Sequence, residues 1–198
     1  MTSFVNDNPS KPYIQFRDEY FKALELEQDV IEAVNISSFN KKISEVDSRY
    51  VNLKLIDGEN FIFFTNYSSP KSIAFNSHNQ IAATFYWAST NVQIRMKATI
   101  LKTPYEYNKK YFHGRDYKKN ALAISSNQSK KINSYEDVQD NYNITLRTED
   151  LSSCPSYWGG YSFTPYYFEF WKGHESRLNK REVYERSNDG WKHFFLQP

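Results

Sequence analysis

The feature that most constrains the fold is a series of short alternating segments separated by turn residues. Arg49 to Ile56 (RYVNLKLI) alternates between apolar and polar residues, and Asn60 to Asn66 (NFIFFTN) follows shortly after Asp57-Gly58. An Asp-Gly pair between two such segments is typical of a tight β-hairpin. The two segments are therefore predicted to be neighbouring antiparallel strands.

Further segments of the same character extend the predicted sheet. The predicted strands are residues 34–39, 49–56, 60–66, 81–87, 92–101, 160–163, 168–171, 182–186 and 191–196. Asn188-Asp189-Gly190 supplies the turn of the last hairpin. Many short strands with few helices indicate a mainly β (α+β) fold, in which an antiparallel sheet is closed or half-closed into a barrel.

Helical patterns are fewer and mostly short. Apolar residues recur at helical spacing between Pro12 and Ala33, which predicts an amphipathic helix. Shorter helices are predicted at residues 70–76, 104–112, 121–125 and 134–142. Residues 1–12 show neither pattern, and we expect a flexible arm there, ahead of a single domain at residues 13–198.

Composition excludes several classes of protein. Aromatic residues make up 18% of the chain with only 6 Gly, which favours a β-rich globule. A net charge of +2 argues against a broad nucleic-acid surface and permits a local basic pocket. The single cysteine, Cys154, excludes an intrachain disulfide and fits a reducing, cytoplasmic setting. No signal peptide and no membrane-spanning stretch is predicted.

The aromatic segment from Tyr157 to Arg181 stands out along the chain. Trp158-Gly159-Gly160-Tyr161 is predicted to be a tight turn, since glycine adopts backbone angles closed to other residues. An aromatic strand follows, and then a polar run that contains Arg177 and Arg181. This segment could present an aromatic face and two guanidinium groups to one ligand. The alternative is a buried strand that ends in a solvated charged loop.

The sequence contains no motif for a phosphate loop, a zinc site or a nucleophile elbow. It does contain cations and amides near predicted strand ends: Arg49, Lys54, Lys71, Gln93, Arg115, Gln128, Arg177 and Arg181. Together they would form a phosphate pocket, because arginine offers paired donors and lysine a point charge. The alternative is that each is a solvated surface charge, and spacing alone does not decide between the two.

Several motifs in a fixed order carry a family resemblance. They are Arg49-Tyr-Val-Asn-Leu-Lys54, Phe64 to Lys71 (FTNYSSPK), Gln93 after Phe85-Tyr86-Trp87, Tyr111 to Arg115 (YFHGR), Asn127-Gln128-Ser129, Pro155 to Tyr161 (PSYWGGY), Glu169-Phe-Trp171 and Arg177-Leu-x-x-Arg181. Together, from about residue 13 to the end of the chain, they resemble the pyridoxamine 5′-phosphate oxidase family.

The resemblance implies an FMN-binding split β-barrel with a few flanking helices. The family is a homodimer with FMN at the subunit interface. The residues that would bind FMN are Arg49, Tyr50, Val51, Asn52, Leu53, Lys54, Phe64, Thr65, Lys71, Gln93, Gln128, Ser129, Trp171 and Arg181.

The resemblance also implies a vitamin B6 phosphate as substrate. The residues that would contact it are Lys54, Tyr111, Arg115, Lys119 and Arg177, with Arg177 and Asn179 at the catalytic positions. A hydride equivalent from pyridoxine or pyridoxamine 5′-phosphate would pass to the flavin, which dioxygen then reoxidises. No metal is expected.

Three positions depart from the family pattern. Asn179 stands where the family has a histidine, and asparagine cannot take up a proton near neutral pH. Lys119 aligns with a serine, and Pro70 replaces one arginine of the flavin-phosphate loop. Three alternatives stay open: the family's oxidase, a relative that acts on a different small molecule, and a flavin-binding protein without catalysis.

Overall fold

Ten strands and five helices make up the fold in the computed structural model, which describes all residues, 1–198. The strands are β1 (Ser3–Phe4), β2 (Ala33–Asn40), β3 (Glu45–Asn52), β4 (Leu55–Asp57), β5 (Asn60–Asn66), β6 (Gln80–Trp87), β7 (Val92–Lys102), β8 (Trp158–Lys172), β9 (Lys180–Ser187) and β10 (Gly190–Leu196). The helices are α1 (Lys11–Glu25), α2 (Pro70–Ser77), α3 (Tyr105–His113), α4 (Tyr117–Ser125) and α5 (Tyr135–Thr148).

All ten strands belong to one sheet, which confirms the predicted mainly β fold. The order is β1-β4-β5-β8-β7-β6-β2-β3, and the β9–β10 hairpin joins through β8. Every pair is antiparallel except β1 with β4, which is parallel. The Asp57-Gly58 hairpin is present as predicted, between β4 and β5.

The sheet curls because two strands consecutive in the chain lie near its opposite ends. The predicted strand 49–56 is in fact two strands, β3 and β4, separated by Leu53 and Lys54. Leu53 donates its N–H to the carbonyl of Glu32 at 2.9 Å, and Lys54 donates to that of Ile62 at 2.8 Å. Between these two residues the chain stops pairing with the segment that leads into β2 and begins to pair with β5. This short link therefore draws the two ends of the sheet together.

Strand β8 is the longest strand and has neighbours on both sides. Its first part pairs with β5, its last part pairs with β9, and β7 pairs with it from Tyr161 to Lys172. Two separate strands were predicted here. They are continuous because Pro165, which has no N–H to donate, lies at a register shift opposite Lys97 and Ala98.

The glycine pair at 159–160 serves close packing within β8, so the predicted tight turn is wrong. Gly159 lies opposite Thr65 in the ladder. A Cβ atom at Gly159 would collide with the hydroxyl of Tyr67 and the amide of Asn108. Because residue 159 has no side chain, Tyr67 and Asn108 can lie directly against β8 near α3.

The N-terminal segment, expected to be a flexible arm over residues 1–12, lies against the domain at its first residues. β1 pairs with β4, the N–H of Thr2 donates to the hydroxyl of Tyr20 at 3.0 Å, and the Thr2 hydroxyl donates to the carbonyl of Leu53 at 3.2 Å. The sequence does not indicate β1, because a strand of two residues is too short to show alternation.

Helix bounds differ from the predictions at three places. Helix α1 ends at Glu25, and Glu27 and Val30 adopt positive φ angles of 52° and 47°, which a helix cannot accommodate. Helix α5 continues to Thr148, into a stretch predicted to be a connection, after a capping box at Ser134. Helix α4 begins at Tyr117, four residues before its predicted start, with Asp116 as its N-cap. The other two helices lie within one residue of the predicted bounds.

The main core lies inside the curled sheet and under α1. It joins 26 buried apolar residues, including Tyr13, Phe16 and Tyr20 of α1. A smaller cluster of Phe112, Cys154 and Trp158 lies below α3. None of the helices is long and apolar enough to cross a membrane.

Candidate active site

A cleft of about 980 Å³ opens beside the link between β3 and β4. Its walls come from the ends of β3 and β5, the start of α2, one face of α3 and the start of α4. Most of the predicted binding residues line it: Tyr50, Val51, Asn52, Lys54, Phe64, Thr65, Lys71, Tyr111, Arg115, Lys119 and Gln128. Residues distant in sequence thus meet at one place, which the spacing alone could not show.

Lys71 lies at the centre of a hydrogen-bond network at one wall of the cleft. We call the set Thr65, Asn66, Ser69, Lys71, Ser72 and Gln128 the Lys71 network. The ammonium of Lys71 donates to the Ser69 hydroxyl at 3.0 Å and to the side-chain oxygen of Gln128 at 3.3 Å. The same Gln128 oxygen accepts from the Thr65 hydroxyl at 3.1 Å and the Asn66 N–H at 3.3 Å. Three donors thus converge on one point of the cleft wall.

The charge of Lys71 is buried and has no acidic partner. The residue is 8% exposed, and its ammonium forms no salt bridge. Burial, and then the nearby charge of Arg49, lower its pKa to about 8. Arg49 itself donates to the Ile36 carbonyl at 2.9 Å and pairs with Asp47 at 2.7 Å. A buried cation without a counter-ion is costly, so the arrangement suits an anionic ligand.

Stacked aromatic rings form the floor of the cleft. The rings of Phe64 and Tyr111 lie parallel with centroids 3.7 Å apart, and Trp158 stacks on Phe64 at 5.1 Å. The guanidinium of Arg115 lies 4.5 Å from the centre of the Trp158 ring and donates to the amide oxygen of Asn120 at 3.1 Å. The aromatic floor therefore fixes the position of a cation.

The rest of the cleft lining is also basic. Lys54, Arg115 and Lys119 line it, and none of them forms a salt bridge. The acidic group beside them, Asp116, accepts from the N–H groups of Lys118 and Lys119 as the N-cap of α4. Burial lowers the pKa of Arg115. These three cations therefore line the cleft in addition to Lys71.

Backbone groups of β3 are a further source of ligand contacts. β3 is the end strand of the sheet and pairs with β2 alone, so one edge of Tyr50, Val51 and Asn52 is unpaired. The Leu53 side chain does not face the cleft, because it is fully buried in the main core. Its predicted role would be limited to its backbone.

Six predicted flavin residues do not line this cleft. Arg49, Leu53 and Ser129 are chain neighbours of residues that do, whereas the other three lie elsewhere in the sheet. Gln93, Trp171 and Arg181 are paired side by side across β7, β8 and β9. Trp171 is twelve residues further along β8 than Gly159, which lies beside Thr65. At about 3.3 Å per residue, roughly 40 Å of strand separates the two places. One chain therefore does not bring this group to the Lys71 network.

The loop between β8 and β9 carries the predicted catalytic residues. Arg177 has a φ of 59°, a left-handed conformation that is strained for arginine. The side-chain oxygen of Asn179 accepts from the N–H of His174 at 3.0 Å, which closes the loop. Both residues also lie outside the cleft of their own chain. Ser129 lies in a turn beside Gln128, with a φ of 68°.

Sequence reasoning missed several residues of the cleft. Tyr107, Lys110 and Gly114 line it on the same face of α3 as Tyr111. Tyr107 and Gly114 lie four residues before and three residues after Tyr111, and Lys110 lies three residues after Tyr107; this helical spacing is a signal that could have found them. Met1 and Asp116 also line the cleft, and no sequence pattern marks them.

Comparison with known sequences gives consistent results. The model of the pyridoxine 5′-phosphate oxidase C-terminal dimerisation region matches residues 158–198. The chain is 33% identical over 196 residues to pyridoxine/pyridoxamine 5′-phosphate oxidase 1 of Hydrogenovibrio crunogenus, covering 97% of this chain and 90% of the relative. It is 32% identical over 194 residues to the Haemophilus influenzae pyridoxine/pyridoxamine 5′-phosphate oxidase, covering 98% and 92%.

Solved structures support the same assignment. PhzG from Burkholderia lata, in complex with tetrahydrophenazine-1-carboxylic acid, matches with a TM-score of 0.88 and 25% identity over 97% of this chain and 95% of that one. A pyridoxamine 5′-phosphate oxidase-related, FMN-binding protein from Nostoc punctiforme shares the fold, with a TM-score of 0.76 at 13% identity over 92% and 97%. The predicted split-barrel fold is therefore confirmed. With relatives at this identity over nearly its whole length, the chain belongs to the pyridoxine/pyridoxamine 5′-phosphate oxidase family.

Proposed function

We propose that the protein is an FMN-dependent oxidase that converts pyridoxine or pyridoxamine 5′-phosphate to pyridoxal 5′-phosphate, with dioxygen as the electron acceptor. The observation that carries the proposal is the buried Lys71 ammonium, which lacks an acidic partner and lines a cleft of about 980 Å³. Pockets for small ligands commonly measure about 300–1,000 Å³, so the cleft has room for a large ligand.

The donor set of the Lys71 network fits the phosphate of FMN. An ammonium, a hydroxyl and a backbone N–H converge on the oxygen of Gln128 in the free protein. A phosphate oxygen accepts the same kinds of hydrogen bond and carries the negative charge that would pair with Lys71, which forms no salt bridge. Lys71, Arg49, Thr65, Gln128 and Ser129 would hold this phosphate and the ribityl chain. The unpaired edge of Tyr50 to Asn52 would contact the flavin.

A second group of cations fits the phosphate of the substrate. Lys54, Arg115 and Lys119 line the same cleft, together with Tyr111, whose ring stacks on Phe64. Bound FMN supplies the acceptor for a hydride equivalent. The protein residues need to hold the substrate against the flavin, exclude water and neutralise two phosphates. No nucleophilic side chain is required for these tasks.

The complete site requires two copies of the chain. Gln93, Trp171 and Arg181 lie at the far end of β8 from the Lys71 network. We therefore assign them, with Arg177 of the following loop, to the site of the partner subunit in a homodimer with FMN at the interface. The match of residues 158–198 to a dimerisation region supports this arrangement.

A second candidate function is oxidation of a different small molecule by the same cofactor. Asn179 cannot transfer a proton, and its side-chain oxygen is already engaged by the His174 N–H. The PhzG structure, similar along nearly the whole chain, holds a carboxylic acid instead of a phosphate ester. The cations of the cleft would bind either kind of anion.

An anaerobic visible spectrum separates the two candidates. The FMN-loaded protein is mixed with pyridoxine 5′-phosphate, with unphosphorylated pyridoxine as the control. Loss of the yellow colour with the phosphate, and its recovery in air, would support the oxidase. A spectrum that stays oxidised would favour the second candidate, and failure to bind FMN would contradict both.

The variant Asn179→His adds a second criterion. A large gain in turnover of pyridoxamine 5′-phosphate would identify residue 179 as the limiting departure from the family's oxidase. No gain, together with a wild-type spectrum that stays oxidised, would favour the different substrate.

A further inference from the structure

Ser69 occupies the N-cap position of α2, but its side chain does not cap the helix. An N-cap serine ordinarily accepts a hydrogen bond from a backbone N–H two or three residues later. At α2 no such side-chain bond is made. The Ser69 hydroxyl instead accepts from the Lys71 ammonium at 3.0 Å and donates to the Asn66 carbonyl at 2.8 Å. The serine is fully buried, so it has no role toward solvent.

The orientation of the Ser69 hydroxyl is fixed from two sides. Because its proton is directed to the Asn66 carbonyl, its lone pairs face Lys71. Ser72, also fully buried, donates to the same carbonyl at 2.9 Å and lies 3.1 Å from the Ser69 oxygen. The hydroxyl is therefore held as an acceptor for the ammonium.

The Lys71 ammonium has three N–H donors, of which the protein uses two. One is directed to Ser69 and one to Gln128, and no further partner is present. The residue lines the cleft, so the third donor is available to a ligand there. Rotation about the last bonds of a lysine side chain would otherwise spread this donor over many directions.

We infer that Ser69 is a positioning residue for the phosphate site: its hydroxyl, supported by Ser72, fixes the Lys71 ammonium so that one N–H points at the FMN phosphate. The inference rests on the proposed function, because it takes FMN as the ligand of Lys71. It predicts that Ser69 contributes to recognition of the phosphate and not of the flavin ring.

The test compares the dissociation constants of FMN and riboflavin, measured by quenching of flavin fluorescence. Riboflavin lacks the phosphate and is otherwise the same ligand. We expect Ser69→Ala to weaken FMN binding about tenfold, the scale of one charge-assisted hydrogen bond, and to leave riboflavin binding unchanged. Ser72→Ala should change FMN binding in the same direction by less.

The matched control is Ser77→Ala in the same helix. The Ser77 hydroxyl donates to the Ala74 carbonyl at 2.8 Å and accepts from the Lys41 N–H at 3.0 Å, away from the cleft. This variant loses as many hydrogen bonds as Ser69→Ala, so it reports a purely structural effect. We expect its ratio of FMN to riboflavin affinity to equal that of the wild type.

A double-mutant cycle tests whether Ser69 acts through Lys71. In a Lys71→Met background, Ser69→Ala should leave the FMN affinity unchanged, because the group that it positions is absent. Equal weakening of FMN and riboflavin binding, or additive losses in the cycle, would overturn the inference while the proposed function stands. A wild-type protein with no preference for FMN over riboflavin would overturn both.

Discussion

Lys71 shows the physical cost of a site that awaits an anion. Its charge is buried beside that of Arg49 without an acidic partner, and its pKa is lowered to about 8. Such a group destabilises the ligand-free fold, because the unfolded chain solvates the charge better. A protein retains it when a ligand supplies the missing negative charge.

The variant Lys71→Met tests this argument directly. We expect FMN binding to weaken about 10- to 100-fold, as for the loss of a hydrogen bond from a charged group, with riboflavin binding little changed. The melting temperature of the ligand-free protein should rise, since an uncompensated buried charge is removed. Lys42→Met, at an exposed turn, is the control. A lower melting temperature with unchanged FMN affinity would contradict the role of Lys71.

The pH dependence of FMN binding follows from the same pKa. Below pH 8 Lys71 is charged in the free protein, and above it the proton is lost, whereas the unfolded value is 10.5. A phosphate dianion, complete above about pH 7, favours the charged form, so binding above pH 8 must recover the proton. We expect FMN affinity to fall about fivefold between pH 8 and 9.

Titrations at pH 7, 8 and 9 with FMN and with riboflavin check this expectation. The variant Lys71→Arg, which stays charged throughout, should bind FMN without this pH dependence. The stability of the ligand-free protein should change with pH in the direction opposite to the FMN affinity. This stability should rise with pH between about 8 and 10.5, because the unfolded state binds more protons in that window. A flat FMN profile in the wild type would contradict the assignment.

At this scale the sequence predicted individual residues better than their contacts. The motifs identified Lys71 and Gln128, which are far apart in the chain and hydrogen-bonded in the fold. They did not identify Ser69 as a partner of Lys71, because a serine before a helix is ordinarily read as a cap. Whether two polar groups meet depends on the path of the backbone between them, which composition and spacing do not determine.

Among the elements, β8 carries the clearest stability prediction. Gly159 lets Tyr67 and Asn108 approach the strand, and a Cβ atom there would collide with both side chains. We expect Gly159→Ala to lower the free energy of unfolding by about 1–3 kcal/mol, the usual cost of overpacking. Urea unfolding measures it.

The control for this variant is Gly114→Ala. A Cβ at Gly114 would lie 3.8 Å from its nearest neighbours, an ordinary contact, and its φ of −83° suits alanine. Its free energy of unfolding should change by less than about 0.5 kcal/mol. Equal stabilities of the two variants would show that the side chains around Gly159 move aside without cost.

The strands were predicted where alternation or turn chemistry is local. The hairpins at Asp57-Gly58 and before Gly190 are present because two-residue turns specify pairing by themselves. The division of residues 49–56 into β3 and β4 was missed, since alternation continues across it and only tertiary pairing ends the strand. Likewise, Gly159 reads as a turn residue because sequence shows its conformational freedom and not its neighbours.

At the scale of the whole molecule, the length of β8 divides the site. One end of the strand lies beside the Lys71 network, and the other carries Trp171 next to Gln93 and Arg181. The two groups lie about 40 Å apart along this strand, and the proposed function therefore assigns a ligand that touches both to the seam between two chains. A C2 dimer would form two such sites, each with the Lys71 network of one subunit and the Trp171 group of its partner.

Mixing two inactive variants tests this division. In a mixture of Lys71→Met and Trp171→Ala chains, unfolded and refolded together, half of the dimers should be mixed. Each mixed dimer would contain one site with both residues intact and one with both replaced. We expect tight FMN binding to return in about one quarter of all sites, with pyridoxine 5′-phosphate oxidation in the same proportion. The variants refolded separately are the controls. No recovery in the mixture, despite mixed dimers seen by native mass spectrometry, would place both groups in one subunit's site and contradict the shared arrangement.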